Sequence, residues 1–93
     1  MGTESIMQTA KECYITGDLY GLHKHHIFQG SRRRASDIWG CWVWLRWDWH
    51  NGSNYGVHFN KELDKRLKKA CQERFEALYG HDKFMQVFGK NYL

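Results

Sequence analysis

The chain has 93 residues, 42% of them hydrophobic and 16% aromatic, with 14 Lys and Arg against 10 Asp and Glu for a net charge of +4. This describes one globular domain near the lower size limit for an unaided core, so a metal or a partner subunit is a natural supplement. No apolar run approaches the roughly 20 residues of a membrane helix, and neither a membrane span nor a secretory signal is expected. Cys13, Cys41 and Cys71 are odd in number and form no CxxC pair, which excludes a disulfide framework or a four-cysteine zinc knuckle from one chain and points to a reducing, cytoplasmic setting. Cys41 and Cys71 read as buried and inert, and Cys13 as an extra ligand only if another chain or a further residue completes its set.

In chain order, residues 1–11 lack periodicity and are expected to be frayed, leaving 12–93 as the single domain. Cys13–Ile15, the turn Thr16-Gly17-Asp18 and the run Leu22–Phe28 predict a hairpin-like entry. Gly30 breaks the pattern, and the consecutive Arg32, Arg33 and Arg34 predict an exposed loop or a single helical turn. Cys41–Trp47 predicts a strand with Trp42, Trp44 and Arg46 on one side and Val43, Leu45 and Trp47 on the other, covered on both faces. Trp39, Trp42, Trp44, Trp47 and Trp49 read as core or interface rather than base-stacking residues. Asn60 is a fitting N-cap, with Glu62 and Asp64 placed to favour the helix dipole. A helix from Lys61 to Leu78 follows, because Leu63, Leu67, Ala70, Cys71, Phe75 and Leu78 share one stripe, and Gly80 ends it. A short helix over Asp82–Phe88 completes the pattern.

Six histidines punctuate this framework. Neutral imidazoles bind divalent transition metals, and three ligands around an open position make a catalytic site. His25, His50 and His58 can supply three such ligands. Phosphodiester hydrolysis also needs a base near neutrality, a role open to His26 beside them. In an ideal strand His25 and His26 point to opposite faces, so one site can use both only where the strand ends or bulges. His23 and His81 read as solvent-exposed. The arginine run, placed between two strands, reads as a phosphate clamp that fixes a backbone without reading bases, with DNA as its partner.

Leu22-His23-Lys24-His25-His26-Ile27-Phe28, the Gly30–Arg34 stretch, Trp39-Gly40 before an aromatic strand, Trp49-His50-Asn51, Gly56-Val57-His58-Phe59-Asn60 before Glu62-Leu63, and the tail Phe88–Leu93 carry a resemblance. From Cys13 to Leu93 the chain resembles the small HNH endonucleases of phages and prophages. The resemblance implies an α+β fold of the ββα-metal type, with a small antiparallel sheet, one long C-terminal helix and a short terminal helix. It further implies His25 as a metal ligand, His26 as the general base, His50 and His58 as ligands on the helical side, and one divalent ion (Zn, Mg, Mn or Ni). The setting implied is the cytoplasm of an infected or lysogenic bacterial host.

Two departures stand out. Many relatives bind a structural zinc through paired cysteines, whereas Thr16 follows Cys13 at that spacing and Leu45–Trp49 has no cysteine, so no such zinc is expected. The asparagine that relatives carry near the second strand is replaced by Trp39-Gly40-Cys41, which leaves Asn51 or Asn54 for a loop-bracing role. A homodimer would suit cleavage of both strands. The rival expectation is a non-catalytic, phage-encoded zinc-binding protein on the same scaffold that inhibits a host defence nuclease, in the manner of anti-CRISPR proteins.

Overall fold

A computed structural model describes residues 3–52 and 55–93. It is a small α+β protein built on a two-stranded antiparallel sheet, β1 (Leu22–His26) and β2 (Trp42–Arg46). A 3-10 turn at Gly30–Arg32 leads into α1 (Arg33–Ile38) between the strands, and β2 is followed by a π-helical turn, Asp48–Gly52, and a 3-10 turn, Val57–Phe59. Two helices close the chain, α2 (Lys61–Tyr79) and α3 (His81–Phe88). Among the described residues, no helix is long and apolar enough to cross a membrane.

Register decides which side chains share a face. His25 pairs with Val43 and His23 with Leu45, while Lys24 pairs with Trp44 and His26 with Trp42. Because strand side chains alternate, the two sets lie on opposite faces. The Val43 and Leu45 face is buried in one core with Leu67, Cys71 and Phe75 of α2. Phe28 joins it through Phe84 and Phe88, at ring-centroid distances of 5.5 and 4.4 Å. Cys41 and Cys71 are fully buried there.

The opposite face is covered by residues 3–11 of the N-terminal segment, part of the stretch expected to be frayed. The Ile6 N–H donates to the Gly40 carbonyl at 2.9 Å, the Trp42 Nε1–H to the Thr3 carbonyl at 3.0 Å, and the Trp44 N–H to Oε1 of Gln8 at 2.7 Å. Lys24 and Lys11 sit over the Trp42 and Trp44 rings at 4.3 and 4.6 Å. A polar, aperiodic segment is held because it satisfies donors and acceptors along β2 that would otherwise be left at a sheet edge.

A second correction concerns Cys13–Ile15, which is a turn rather than the first strand of a hairpin. The Cys13 N–H donates to the Asp18 carbonyl and the Gly17 N–H to the Cys13 carbonyl, both at 2.8 Å, so the chain closes on itself before β1. Strand pairing for β1 comes from β2 instead, and the expected Cys41–Trp47 strand is shortened to Trp42–Arg46. Its flanking Trp47 is 52% exposed, so the strand is not covered on both faces at this end.

The long helix follows its sequence signals. Asn60 Oδ1 accepts the Leu63 N–H at 3.1 Å, Glu62 and Asp64 occupy the first turn, and Gly80 terminates the helix with φ 90°. Leu78, counted in the apolar stripe, is half exposed, since α3 turns away one residue after Tyr79. Buried Gln72 holds the tail: its Nε2 donates to Asn91 Oδ1 at 2.7 Å and its Oε1 accepts the Tyr92 N–H at 2.6 Å.

Gly40 joins α1 to β2 at φ 72°, and a Cβ there would lie 2.3 Å from the Glu4 carbonyl oxygen. Gly30 has φ 62° with nothing within 4 Å. Gly30→Ala is therefore expected to cost only backbone strain, about 1–3 kcal/mol. Gly40→Ala should cost more, because it also displaces the N-terminal segment. Urea denaturation of both variants measures the difference, and equal losses would show that the segment contributes nothing to stability.

Candidate metal centre

Three chain segments converge on one side of the sheet. His25 projects from β1 toward the core and is 1% exposed, and both of its ring nitrogens are buried without a hydrogen-bond partner. His50 comes from the turn after β2 and His58 from the turn before α2. Their ring centroids lie 5.3 and 5.2 Å from that of His25, and 4.6 Å from each other. One nitrogen from each ring falls within 4.8 Å of the others, close enough to hold a metal ion.

Burial and chemistry both fit a cation. An unsatisfied buried polar group costs roughly 1–3 kcal/mol, and coordination by a lone pair would offset that cost at His25. Burial first, then the neighbouring imidazoles of His50, His58 and His26 and the Lys68 ammonium, push His25 down to about 3. Burial, then His58 and His23, push His50 down to about 4. Both rings are thus neutral near neutrality, the form in which an imidazole can bind a metal. Three imidazoles select transition metals such as zinc or nickel over magnesium, and the exposed edge at His58 leaves the side open.

The turn that presents His50 is braced by groups that sequence reasoning missed. Arg46 grips Asp48 in a fork, Nε to Oδ1 at 2.6 Å and Nη2 to Oδ2 at 2.7 Å, and it also pairs with Asp18. The Tyr55 hydroxyl donates to Asp48 Oδ2 at 2.6 Å, so one carboxylate ties the start of the His50 loop to its end. These bonds hold the Asp48 carboxyl well below the usual carboxylate range. Asn51, expected to brace this loop, is exposed and makes no hydrogen bond through its side chain among the described residues, and Asn54 lies outside them. The only sequence signal was an acid two residues after an arginine at a strand end. Cys13 is used locally, with Sγ accepting the Arg46 N–H at 3.2 Å.

His26 is not brought into this cluster. Pairing of β1 with β2 is regular through His26, without a bulge, so its ring lies on the other face. There Nε2 sits 3.2 Å from Asp37 Oδ1, which Lys24 Nζ also reaches at 2.6 Å. Lys24 and then His26 keep the Asp37 carboxyl below its ordinary value. His26, Asp37, Arg33, Arg34, Gly30 and Ser31 line an open groove of about 510 Å³. Arg32 departs from its neighbours: Nη1 points to the Val87 carbonyl of α3 at 3.4 Å, so of the three arginines expected to act together only Arg33 and Arg34 line this groove. His81 bonds Glu76 at 2.7 Å, apart from either site. His23 is exposed, as expected from the sequence, and places Nδ1 3.1 Å from Nδ1 of His50.

No family model, curated protein or solved structure matches the chain.

Depressed imidazole values set a pH dependence for the metal-free protein. Above the ordinary value of 6.5, His25 and His50 are neutral both folded and unfolded and contribute no pH dependence. As pH falls below 6.5 the unfolded chain takes up protons that the folded state refuses until about 4 for His50 and about 3 for His25, so stability declines across that window. Melting temperature in chelator is expected to be level above pH 6.5 and to fall below it, with a shallower fall in His25→Phe. A wild-type profile that stays flat down to pH 4 would contradict the burial of these rings.

Proposed function

We propose that the protein is a metal-dependent DNA endonuclease of the HNH type, built on a ββα-metal core, that hydrolyses phosphodiester bonds with His26 as the general base. The observation that carries this reading is the convergence of His25, His50 and His58, with both His25 nitrogens buried and unpartnered; the opposite face of β1 holds a groove with an imidazole–carboxylate pair and two arginines. His25, His50 and His58 would hold the ion. When bound there, a divalent ion offsets charge on a non-bridging phosphate oxygen and on the leaving 3′ oxygen.

Asp37 accepts the Nε2–H of His26, which leaves the Nδ1 lone pair to draw a proton from the attacking water, and its negative charge stabilises the imidazolium that forms. Arg33 and Arg34 bind phosphates of the DNA backbone through charge and forked hydrogen bonds, independent of base sequence. The reading requires a phosphodiester to lie across the end of β1.

One observation favours a second reading. His26 is turned away from the histidine cluster, as it is free to be where a zinc ion only holds the fold and the protein binds and inhibits a host defence nuclease.

Plasmid cleavage with Mg²⁺, Mn²⁺, Ni²⁺ or Zn²⁺ separates the two. Wild type should cut, and His26→Ala should lose about 10²–10⁴-fold in rate while retaining its metal. Absence of cutting by metal-loaded wild type under all four conditions would leave the inhibitor reading standing.

The groove makes its own prediction for DNA affinity. Each phosphate contact contributes roughly 0.9 to the log–log salt slope on duplex DNA, so replacing Arg33 and Arg34 together by Ala should flatten the slope by about 1.8. Arg32→Ala should leave it nearly unchanged, because that side chain is turned toward α3. Fluorescence anisotropy across a salt series measures both, and an equal effect of Arg32→Ala would move the DNA path away from the groove.

A further inference from the structure

His50 stands between two other imidazoles, and its two nitrogens face different partners. Nε2 lies 2.9 Å from Nε2 of His58, and Nδ1 lies 3.1 Å from Nδ1 of His23. His23 is two residues before His25 on the same face of β1, held in register opposite Leu45, so the strand that supplies the buried ligand also places this fourth ring. The His23 and His50 rings meet nearly edge-on, at 5.3 Å between centroids and 85° between planes.

A neutral imidazole carries one proton, so each of these contacts constrains the other. If the His50 proton is on Nδ1, His23 accepts it and Nε2 is left with a lone pair facing Nε2 of His58. If the proton is on Nε2, it points at His58, and His50 cannot serve as a ligand through that atom. His23 therefore selects between a ligand-ready tautomer of His50 and one that blocks the site. Ligand histidines are ordinarily oriented by a partner that accepts the proton of the nitrogen not bound to metal, and carboxylates or carbonyls usually take that part. No carboxylate or carbonyl does so for His50 among the described residues, and the group facing its Nδ1 is Nδ1 of the His23 ring, which can accept when its own proton is on Nε2.

We infer that His23 is a positioning residue of the metal centre, which accepts the Nδ1–H of His50 and holds Nε2 of that ring toward the bound ion. The inference rests on the reading of His25, His50 and His58 as metal ligands and adds a residue that does not itself touch the ion. His23 carries its own proton on Nε2, on the side away from His50.

The test is Zn²⁺ titration of wild type, His23→Ala, His23→Gln and His25→Ala, together with long-range ¹⁵N–¹H spectra of the histidine rings in the zinc-loaded wild type. His23→Ala should raise the Zn²⁺ Kd by about 10–100-fold, the range typical of losing such a partner. Gln offers an acceptor oxygen, so His23→Gln should recover most of that loss. The metal-free melting temperature should be the same in wild type, His23→Ala and His23→Gln, and the spectra should show His50 protonated on Nδ1.

Wild-type affinity in His23→Ala overturns the inference, and so does an Nε2-protonated His50. A loss as complete as that of His25→Ala would make His23 a direct ligand and overturns it too, as does a His23→Gln protein no better than His23→Ala. Wild type that takes up no Zn²⁺ overturns the metal centre itself, an outcome visible in the first titration and distinct from the others.

Discussion

The alternation of side chains along β1 is the constraint on which the rest depends. Five consecutive residues, Leu22 to His26, are locked in antiparallel register with Arg46 to Trp42, and that register sends His23 and His25 to the helical side and Lys24 and His26 to the other. A slip by one residue would exchange the two sets and bury Lys24 where His25 now lies. Val43 and Leu45 prevent it: their burial against α2 removes apolar surface from water, and a slipped pairing would forfeit the match between that face and His25.

Two chemically different environments follow from this division. On the helical side, burial keeps His25 and His50 neutral and leaves His25 without a hydrogen bond, a state that favours a cation. On the other side, Asp37, Lys24, Arg33 and Arg34 surround His26 with charge that is open to solvent. Metal binding and proton transfer would thereby be assigned to opposite faces of one strand. The strand keeps the two environments apart up to its end at His26, and backbone pairing goes on beyond it through the Ile27 N–H and the Cys41 carbonyl.

A domain of this size has little core to spare, and much of its order is supplied by polar ties across long sequence separations. The N-terminal segment closes the face of Trp42 and Trp44, Gln72 fastens the C-terminal tail, and Arg46 with Asp18, Asp48 and Tyr55 fixes the loop that carries His50. Coordination at His25 would add to these ties by satisfying a group the apolar core cannot.

Helix α2, its Asn60 cap, the strand nature of β2 and the ligand candidates His25, His50 and His58 were legible in the sequence, because periodicity, capping and residue chemistry are local properties. The opposition of His25 and His26 was also readable, since a period of two needs no partner to be known. Other features belonged to the tertiary structure alone. The anchoring of residues 3–11, the partnership of His26 with Asp37, the departure of Arg32 toward α3, the Asp48 brace and the contact of His23 with His50 each join groups that no periodic pattern links. Hydrogen bonds and ion pairs of that kind depend on distances set only when the strands, turns and helices have packed, so their partners could be known only from the fold.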